Sequence, residues 1–365
     1  MSSHPDSHRS FQHWCETSLH SALVKATARR RGLPPPQVLV AAPGVHFSFG
    51  AIGQPFHTAS IGKTFVAALT ARLAHKGLLA LDSPVGDLAP GLDLRKLPAA
   101  PGVNLHRDVT VAHLLSHRSG LPDPLMPPGR HSTECSLSRL IDAPDRHWSP
   151  AQVLEQTAGL PPTGRPGERF SYSDANYALI LCILERIAAA PFTELLSRHV
   201  FKPAGMESTG QPHTTATDEE LGRLDIAPMW IGGHEVSRMR ALTAGSADGG
   251  AVSTAEDLAR FQVALHEKGL VDAPLLARMA RPLSRLRPGI HYGTGLATIR
   301  FSEFMPLILR GLPEPVGGIG LSATHCFYYP RQRTHVVMNF HSTAQMRRSF
   351  AVHLSIARRL ARQQG

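Results

Sequence analysis

His57-Thr58-Ala59-Ser60-Ile61-Gly62-Lys63-Thr64-Phe65-Val66-Ala67-Ala68-Leu69 reads as a loop entering a helix, with Ser60 at its start. On a helix, Ser60 and Lys63 lie three residues apart on one face, so a hydroxyl and an amine are within reach of one shared proton. A serine hydroxyl is a poor nucleophile at neutral pH. A neighbouring amine that is desolvated or held near other cations loses its own proton and accepts the serine's. The helix start adds backbone N–H groups and the positive end of the dipole, which suit a developing oxyanion. The stretch thus offers nucleophile, base and part of an oxyanion hole, but Ser-x-x-Lys also arises by chance as a solvated helix start. The remaining sequence has to decide between these readings.

The 365 residues, 42% hydrophobic and 18% charged, allow one large domain or two smaller ones with an ample core, in a globular rather than a disordered chain. No apolar run approaches the length of a membrane span. Met1 to Arg9 is polar and His-rich, and the following segment, with Trp14, Glu16, His20 and Lys25, has no signal-like apolar block. The expected location is therefore cytoplasmic. Cys15, Cys135, Cys182 and Cys326 show no Cys-x-x-Cys spacing, so reduced thiols are expected rather than a zinc site or a redox pair. The net charge of +10 is concentrated at Arg29-Arg30-Arg31 and at Arg358-Arg359 with Arg362, near expected helix ends, where positive charge is ordinary dipole chemistry. With 6% aromatics and no nucleic-acid motif, neither nucleic acid nor membrane is an expected partner. The 21 histidines include no His-Glu-x-x-His pair, and no metal is expected.

Ser10 to about Arg31 carries apolar residues at helical spacing and ends at Gly32. Gln37–Ala42 and Val45–Ala51, joined by Pro43-Gly44, read as a β-hairpin. Thr110 to Ser116 is a short helix. The irregular segment from Pro122 to Trp148 has the character of an insertion that lines a site. Ser149-Pro150 is an N-cap followed by proline at the first helical position, and Ala175 to Ala190 and Pro191 to His199 read as helices. Asp248-Gly249-Gly250 is a tight turn before a capped helix. Tyr292–Phe301, Val316–Gly320, His325–Tyr329 and Thr334–Asn339 are β-type runs, and a basic amphipathic helix from about Ala344 to Arg362 closes the chain. Strands at both ends around a helical middle predict one sheet closed by the two termini with an inserted helical region.

Three stretches then converge: Ser60-Ile61-Gly62-Lys63, Tyr172-Ser173-Asp174 and Gly317-Gly318-Ile319-Gly320. In this order they resemble the motifs of the class C β-lactamase and penicillin-binding-protein-like serine hydrolases. Ala80-Leu81-Asp82-Ser83-Pro84, Leu114-Leu115-Ser116-His117-Arg118-Ser119-Gly120-Leu121-Pro122, Phe201-Lys202-Pro203-Ala204-Gly205-Met206 and Gly249-Gly250-Ala251-Val252-Ser253-Thr254 resemble that family's intervening signatures. The resemblance covers roughly residues 37 to 340. It implies an α/β, β-lactamase/transpeptidase-like fold in a single domain over 1–365. Residues 10–75 and 285–362 would form the antiparallel sheet and its flanking helices, and 76–284 a mostly helical region. It implies that Ser60 is acylated, that Lys63 accepts or relays its proton, and that Tyr172 acts with Lys63, a phenol facing an ammonium being easier to ionise. Asp174 stands where many relatives carry Asn, and its carboxylate would hold Lys63 charged or contact the substrate. The N–H of Leu321, after Gly320, would complete an oxyanion hole with that of Ser60.

The third motif departs from the family pattern, since Gly318 occupies the usual Lys or His position. The departure predicts space at that point, with His325 and His291 as candidates to approach it or, alternatively, as edge-strand histidines. It also predicts a preference for neutral or bulkier acyl groups over substrates bearing a carboxylate. The expected function is a serine hydrolase or acyltransferase that forms an acyl-enzyme from a small ester, thioester or amide and needs no cofactor. Its partners would be that acyl substrate and, for acyl transfer, an amine acceptor. The alternative is a catalytically silent binding or scaffold protein of the same fold.

Overall fold

The computed structural model describes residues 5–29, 32–245 and 250–362. Arg30 and Arg31 of the basic cluster, and Asp248 and Gly249 of the expected tight turn, lie outside the described residues.

The strands are β1 (Gln37–Ala42), β2 (Val45–Phe49), β3 (Phe56–His57), β4 (Trp230–Ile231), β5 (His234–Glu235), β6 (Val252–Ser253), β7 (Ser284–Arg287), β8 (Ile290–Tyr292), β9 (Ala297–Ile299), β10 (Val316–Gly320), β11 (Thr324–Tyr329) and β12 (Thr334–Asn339). Eight of them form one sheet in the order β2-β1-β12-β11-β10-β9-β8-β7, with every pairing antiparallel. β1, from the N-terminal part, pairs with β12, from the C-terminal part, with Gln37 opposite Asn339 and Val38 opposite Met338. The termini thus close the sheet as the distribution of β-type runs predicts. β3 pairs with β6, and β4 with β5, as small separate ladders.

Alternation along the strands divides the core. Val38, Val40, Val336 and Met338 pack with Phe11, Leu19, Ile356 and Leu360 of the terminal helices, while Leu39, Cys326 and Val337 face the larger core around Phe65, Leu69 and Leu179. Both faces are therefore covered by helices. The helix Gly62–His75 is buried nearly all round, from Gly62 through Ala71 and at Leu73, because it lies between the sheet and the helix Asp174–Ala188. Capping boxes at Thr110 and Ser149 start the helices Val111–Leu115 and Pro150–Glu155 where their sequences predict.

Several boundaries differ from expectation. The N-terminal helix begins at Pro5, passes through a π-helical turn at Cys15–Leu19 and ends at Ala28. Tyr292–Phe301 is not one strand: Gly293 and Gly295 turn the chain, and β8 and β9 lie side by side. Both histidines considered for the Gly318 position lie in interior strands, not at an edge. His325 on β11 bonds Ser349 and His353 of the C-terminal helix, and His291 on β8 bonds Glu303. Among the described residues, all four cysteines are free thiols.

Candidate active site

A strand, a strained turn and a helix deliver Ser60. β3 is anchored to β6, Thr58 N–H donates to Ala251 O at 3.0 Å, and Ala59 adopts a left-handed φ of +49°. A non-glycine residue in that region stores strain that the surroundings must hold. Here Ala59 N–H donates to Nδ1 of buried His57 at 3.0 Å, and Ile61 N–H returns to Thr58 O at 3.2 Å. A 3-10 turn, Ala59–Ile61, then leads into the helix and sets Ser60 at its mouth. His57 can hold this turn because burial, and secondarily His213, push its imidazole down to about 3, so Nδ1 stays an acceptor.

One helical turn on, Lys63 Nζ stands 3.5 Å from Ser60 Oγ, as the spacing of three requires. Tyr172, remote in sequence, brings its hydroxyl to 2.9 Å from Ser60 Oγ, and Lys63 Nζ lies 5.0 Å from the centre of its ring. The structure thus brings Ser60, Lys63 and Tyr172 together. Asp174, at the start of the helix Asp174–Ala188, reaches Lys63 Nζ at 2.5 Å with both side chains buried. The contact fits one of the two roles foreseen for this carboxylate, holding Lys63 charged, and Asp174 also lines the cleft over Ser60.

The ion pair overturns the reasoning that desolvation would free the amine. Burial does pull the Lys63 ammonium toward neutrality, but Asp174 and then Tyr172 outweigh it and hold the pKa above its ordinary value. Tyr172 is also corrected: burial raises its phenol well above the usual range, and the Lys63 charge offsets only part of that rise. At rest the site contains an ammonium and a neutral phenol.

Three further residues shape the site that the sequence reading did not single out. His117 has a left-handed φ of +54° and stacks on Tyr172 at 4.2 Å between ring centres, with Nδ1 accepting from Ser173 N–H at 3.2 Å. Burial, then Lys63, keep its ring neutral, so it serves as a flat platform beneath the tyrosine. Asp123 accepts Asp174 N–H at 3.2 Å and Leu125 N–H at 3.1 Å through Oδ1, while its buried Oδ2 has no partner among the described residues. His57 is the third. The first two lie in or beside the Leu114–Pro122 signature, which marked the segment without assigning roles to its residues.

β10 closes the site from the sheet. A Cβ on Gly320 would stand 2.1 Å from Thr324 Oγ1 and 2.9 Å from Ala59 Cβ, so only glycine lets the strand lie this close to the Ser60 turn. Gly318 corrects the expected space. A Cβ there would meet Thr64 Cγ2 at 2.9 Å and Ile61 Cα at 3.4 Å, and Thr64 is fixed by its hydroxyl on Ile61 O at 2.7 Å. The position faces a filled helix surface. Leu321 lines the same cleft as Ser60, and neither its N–H nor that of Ser60 is spent on a turn or cap bond among the described residues.

The cleft over Ser60 has a volume of about 40 Å³ and is walled by Leu125, Leu137, Leu140, Met229, Ile231, Leu242 and Leu321, with His57, Lys63 and Asp174 at its polar end. Leu125, Leu137 and Leu140 come from the irregular Pro122–Trp148 segment, which lines the site as its character predicts and contains a 3-10 turn at Leu137–Asp142. Among the described residues no cluster of His, Cys, Asp and Glu is arranged to hold a metal.

Comparison with known proteins adds a family model described as Beta-lactamase, which matches residues 52–357. Penicillin-binding protein 4* of Bacillus subtilis (strain 168) is 26% identical over 254 residues, 66% of this chain and 51% of that protein. The chain spans about half the length of the curated relatives it matches, 51% and 55% for two of them. The crystal structure of D-amino acid amidase from Ochrobactrum anthropi SV3 is similar with a TM-score of 0.75 at 20% identity, covering 96% of this chain and 99% of that one. EstCE1, described as a hydrolase with promiscuous acyltransferase activity, is similar with a TM-score of 0.74 at 20% identity, covering 96% and 99%. At these identities the two structures speak for the fold.

Proposed function

The chain belongs to the beta-lactamase family, and from that premise we propose that it is a serine hydrolase or acyltransferase forming an acyl-enzyme at Ser60 from a small, neutral ester, thioester or amide. The observation that carries this reading is the position of Ser60 Oγ, 2.9 Å from the Tyr172 hydroxyl and 3.5 Å from Lys63 Nζ, under a small aliphatic cleft. Ser60 Oγ attacks the carbonyl, and its proton passes to the Tyr172–Lys63 unit once that unit has lost one proton. The backbone N–H groups of Ser60 and Leu321 receive the developing oxyanion. The proton then returns to the leaving group, and water or an amine takes the acyl group. No metal or organic cofactor enters these steps.

The amidase, and the hydrolase with acyltransferase activity, among the similar structures support an acyl substrate such as an amide or ester, and the aliphatic wall favours an uncharged acyl group. Lys63, the one cation lining the cleft, is already engaged by Asp174, so a substrate carboxylate finds no free partner there among the described residues.

The test is labelling with a fluorophosphonate probe, followed by a panel of p-nitrophenyl esters of increasing acyl length, with and without an added amine. Labelling confined to Ser60, lost in Ser60→Ala with the fold intact, is the expected result, and the ester panel ranks the acyl groups that the cleft accepts. Unchanged turnover in pure Ser60→Ala would sink the mechanism. The reading of a silent scaffold draws on one observation, the absence of a third-motif side chain at Gly318, whose place Thr64 fills. It requires that no probe labels Ser60.

A further inference from the structure

Away from the cleft, at the β7–β8 end of the sheet, a groove of about 450 Å³ lies between β8, the loop after β9 and the C-terminal helix Met346–Ala361. Ile290, Phe301, Phe304 and Phe350 wall it, and Arg287 and Arg347 stand along it. The loop wall continues outward as Met305-Pro306-Leu307-Ile308, where Leu307 is 97% and Ile308 69% exposed beside Phe304 at 42% and Met305 at 44%. Single exposed apolar residues are ordinary, but an apolar tip continuous with an apolar groove marks a contact surface.

Its charges say what kind of contact. Neighbouring Arg285 and Arg300 are engaged by Glu303 and Glu314. Arg287, Arg310 and Arg347 have no carboxylate partner among the described residues, and Arg287 instead rests over the Phe350 ring at 5.8 Å. A second copy of the chain joined through this face would set these arginines against one another, so self-association is disfavoured by like charge. A surface that is apolar within and anionic at its border satisfies both sets of residues.

We propose that this face docks on an anionic lipid surface, with Leu307 and Ile308 entering the headgroup region and Arg287, Arg310 and Arg347 meeting lipid phosphates. The net charge of +10 adds a long-range attraction to such a surface. The apolar stretch Phe304–Leu309 is too short to cross a bilayer, and among the described residues no helix is long and apolar enough to do so. The expectation that no membrane is a partner rested on the lack of a spanning run, and peripheral docking needs none.

The test is co-sedimentation of the full chain with vesicles of phosphatidylcholine alone or mixed with phosphatidylglycerol, at about 0.05 M and about 0.5 M salt. Binding is expected only with phosphatidylglycerol and is expected to weaken at the higher salt. Leu307→Asp with Ile308→Asp should reduce it at least about tenfold, and Arg287→Glu or Arg347→Glu roughly fivefold each. Turnover of a water-soluble ester should be the same in all variants. Since Leu307 and Ile308 are largely exposed, their replacement leaves the core untouched. Equal binding to both vesicle types, no binding, or binding indifferent to the Leu307/Ile308 pair would overturn the proposal. So would light scattering that shows a wild-type dimer dissociated by the same substitutions.

Discussion

Asp174 Oδ1 and Lys63 Nζ are 2.5 Å apart, 111 residues distant in the chain and both buried, so the amine beside Ser60 is held as an ammonium. Activation of Ser60 therefore depends on removing a proton that Asp174 retains. Turnover should rise with pH into the alkaline range. Asp174→Asn removes the strongest influence holding the proton while burial still expels it, so the rise should move to lower pH by more than about one unit. The measurement is the pH dependence of kcat/KM in both proteins. An unmoved limb would mean that Lys63 does not gate acylation.

Tyr172 touches Ser60 and lies against Lys63, which makes the two one proton path. Tyr172→Phe and Lys63→Ala should each lower acylation by about 10²–10⁴-fold, and the double variant should be little worse than either alone. Burst-phase kinetics with a p-nitrophenyl ester reads this directly. Losses that add fully would show two independent roles.

Asp123 gives a stability signature. Burial, then the charge of Asp174, raise its carboxyl from the ordinary 3.8 to about 7. Between those values the folded protein holds a proton that the unfolded chain has released, so this group's contribution to stability declines as pH rises from about 4 to about 7. Asp123→Asn keeps an acceptor for the Asp174 and Leu125 N–H groups and cannot ionise. Its stability relative to wild type should therefore improve from the acid to the neutral end of that window. Denaturant unfolding at pH 5 and pH 8 tests it, and a difference that is flat or falls with pH would reject the protonated Asp123.

Gly318→His should not create a carboxylate-binding site. Its Cβ meets Thr64 Cγ2 at 2.9 Å, so the substitution should cost about 1–3 kcal/mol of stability by overpacking and lower activity on all esters alike. Thermal melts together with kcat/KM on neutral and carboxylate-bearing esters decide it. Selective gain on the charged substrates would show that the strand yields.

The sequence by itself determined whatever depends on neighbours within a turn or a strand. Ser60 and Lys63 share a helix face because three residues separate them, Thr110 and Ser149 cap helices because their side chains reach their own N3 amides, and the β-type runs at both ends form one sheet because each has an apolar face to bury. Tyr172 and Asp174 were legible only through their motif, since nothing local says that a tyrosine 112 residues away will stand on Ser60. Only the tertiary structure decided the charge states and the free space. Whether Lys63 keeps its proton is a contest between desolvation and a partner, and packing sets both. Whether Gly318 leaves room depends on Thr64 across the strand–helix interface, and the platform under Tyr172 depends on a backbone turn at His117. Residue types and spacing specify which groups are present. Distance, burial and opposing charge specify what those groups can do, and these quantities exist only once the sheet and the helices have closed around Ser60.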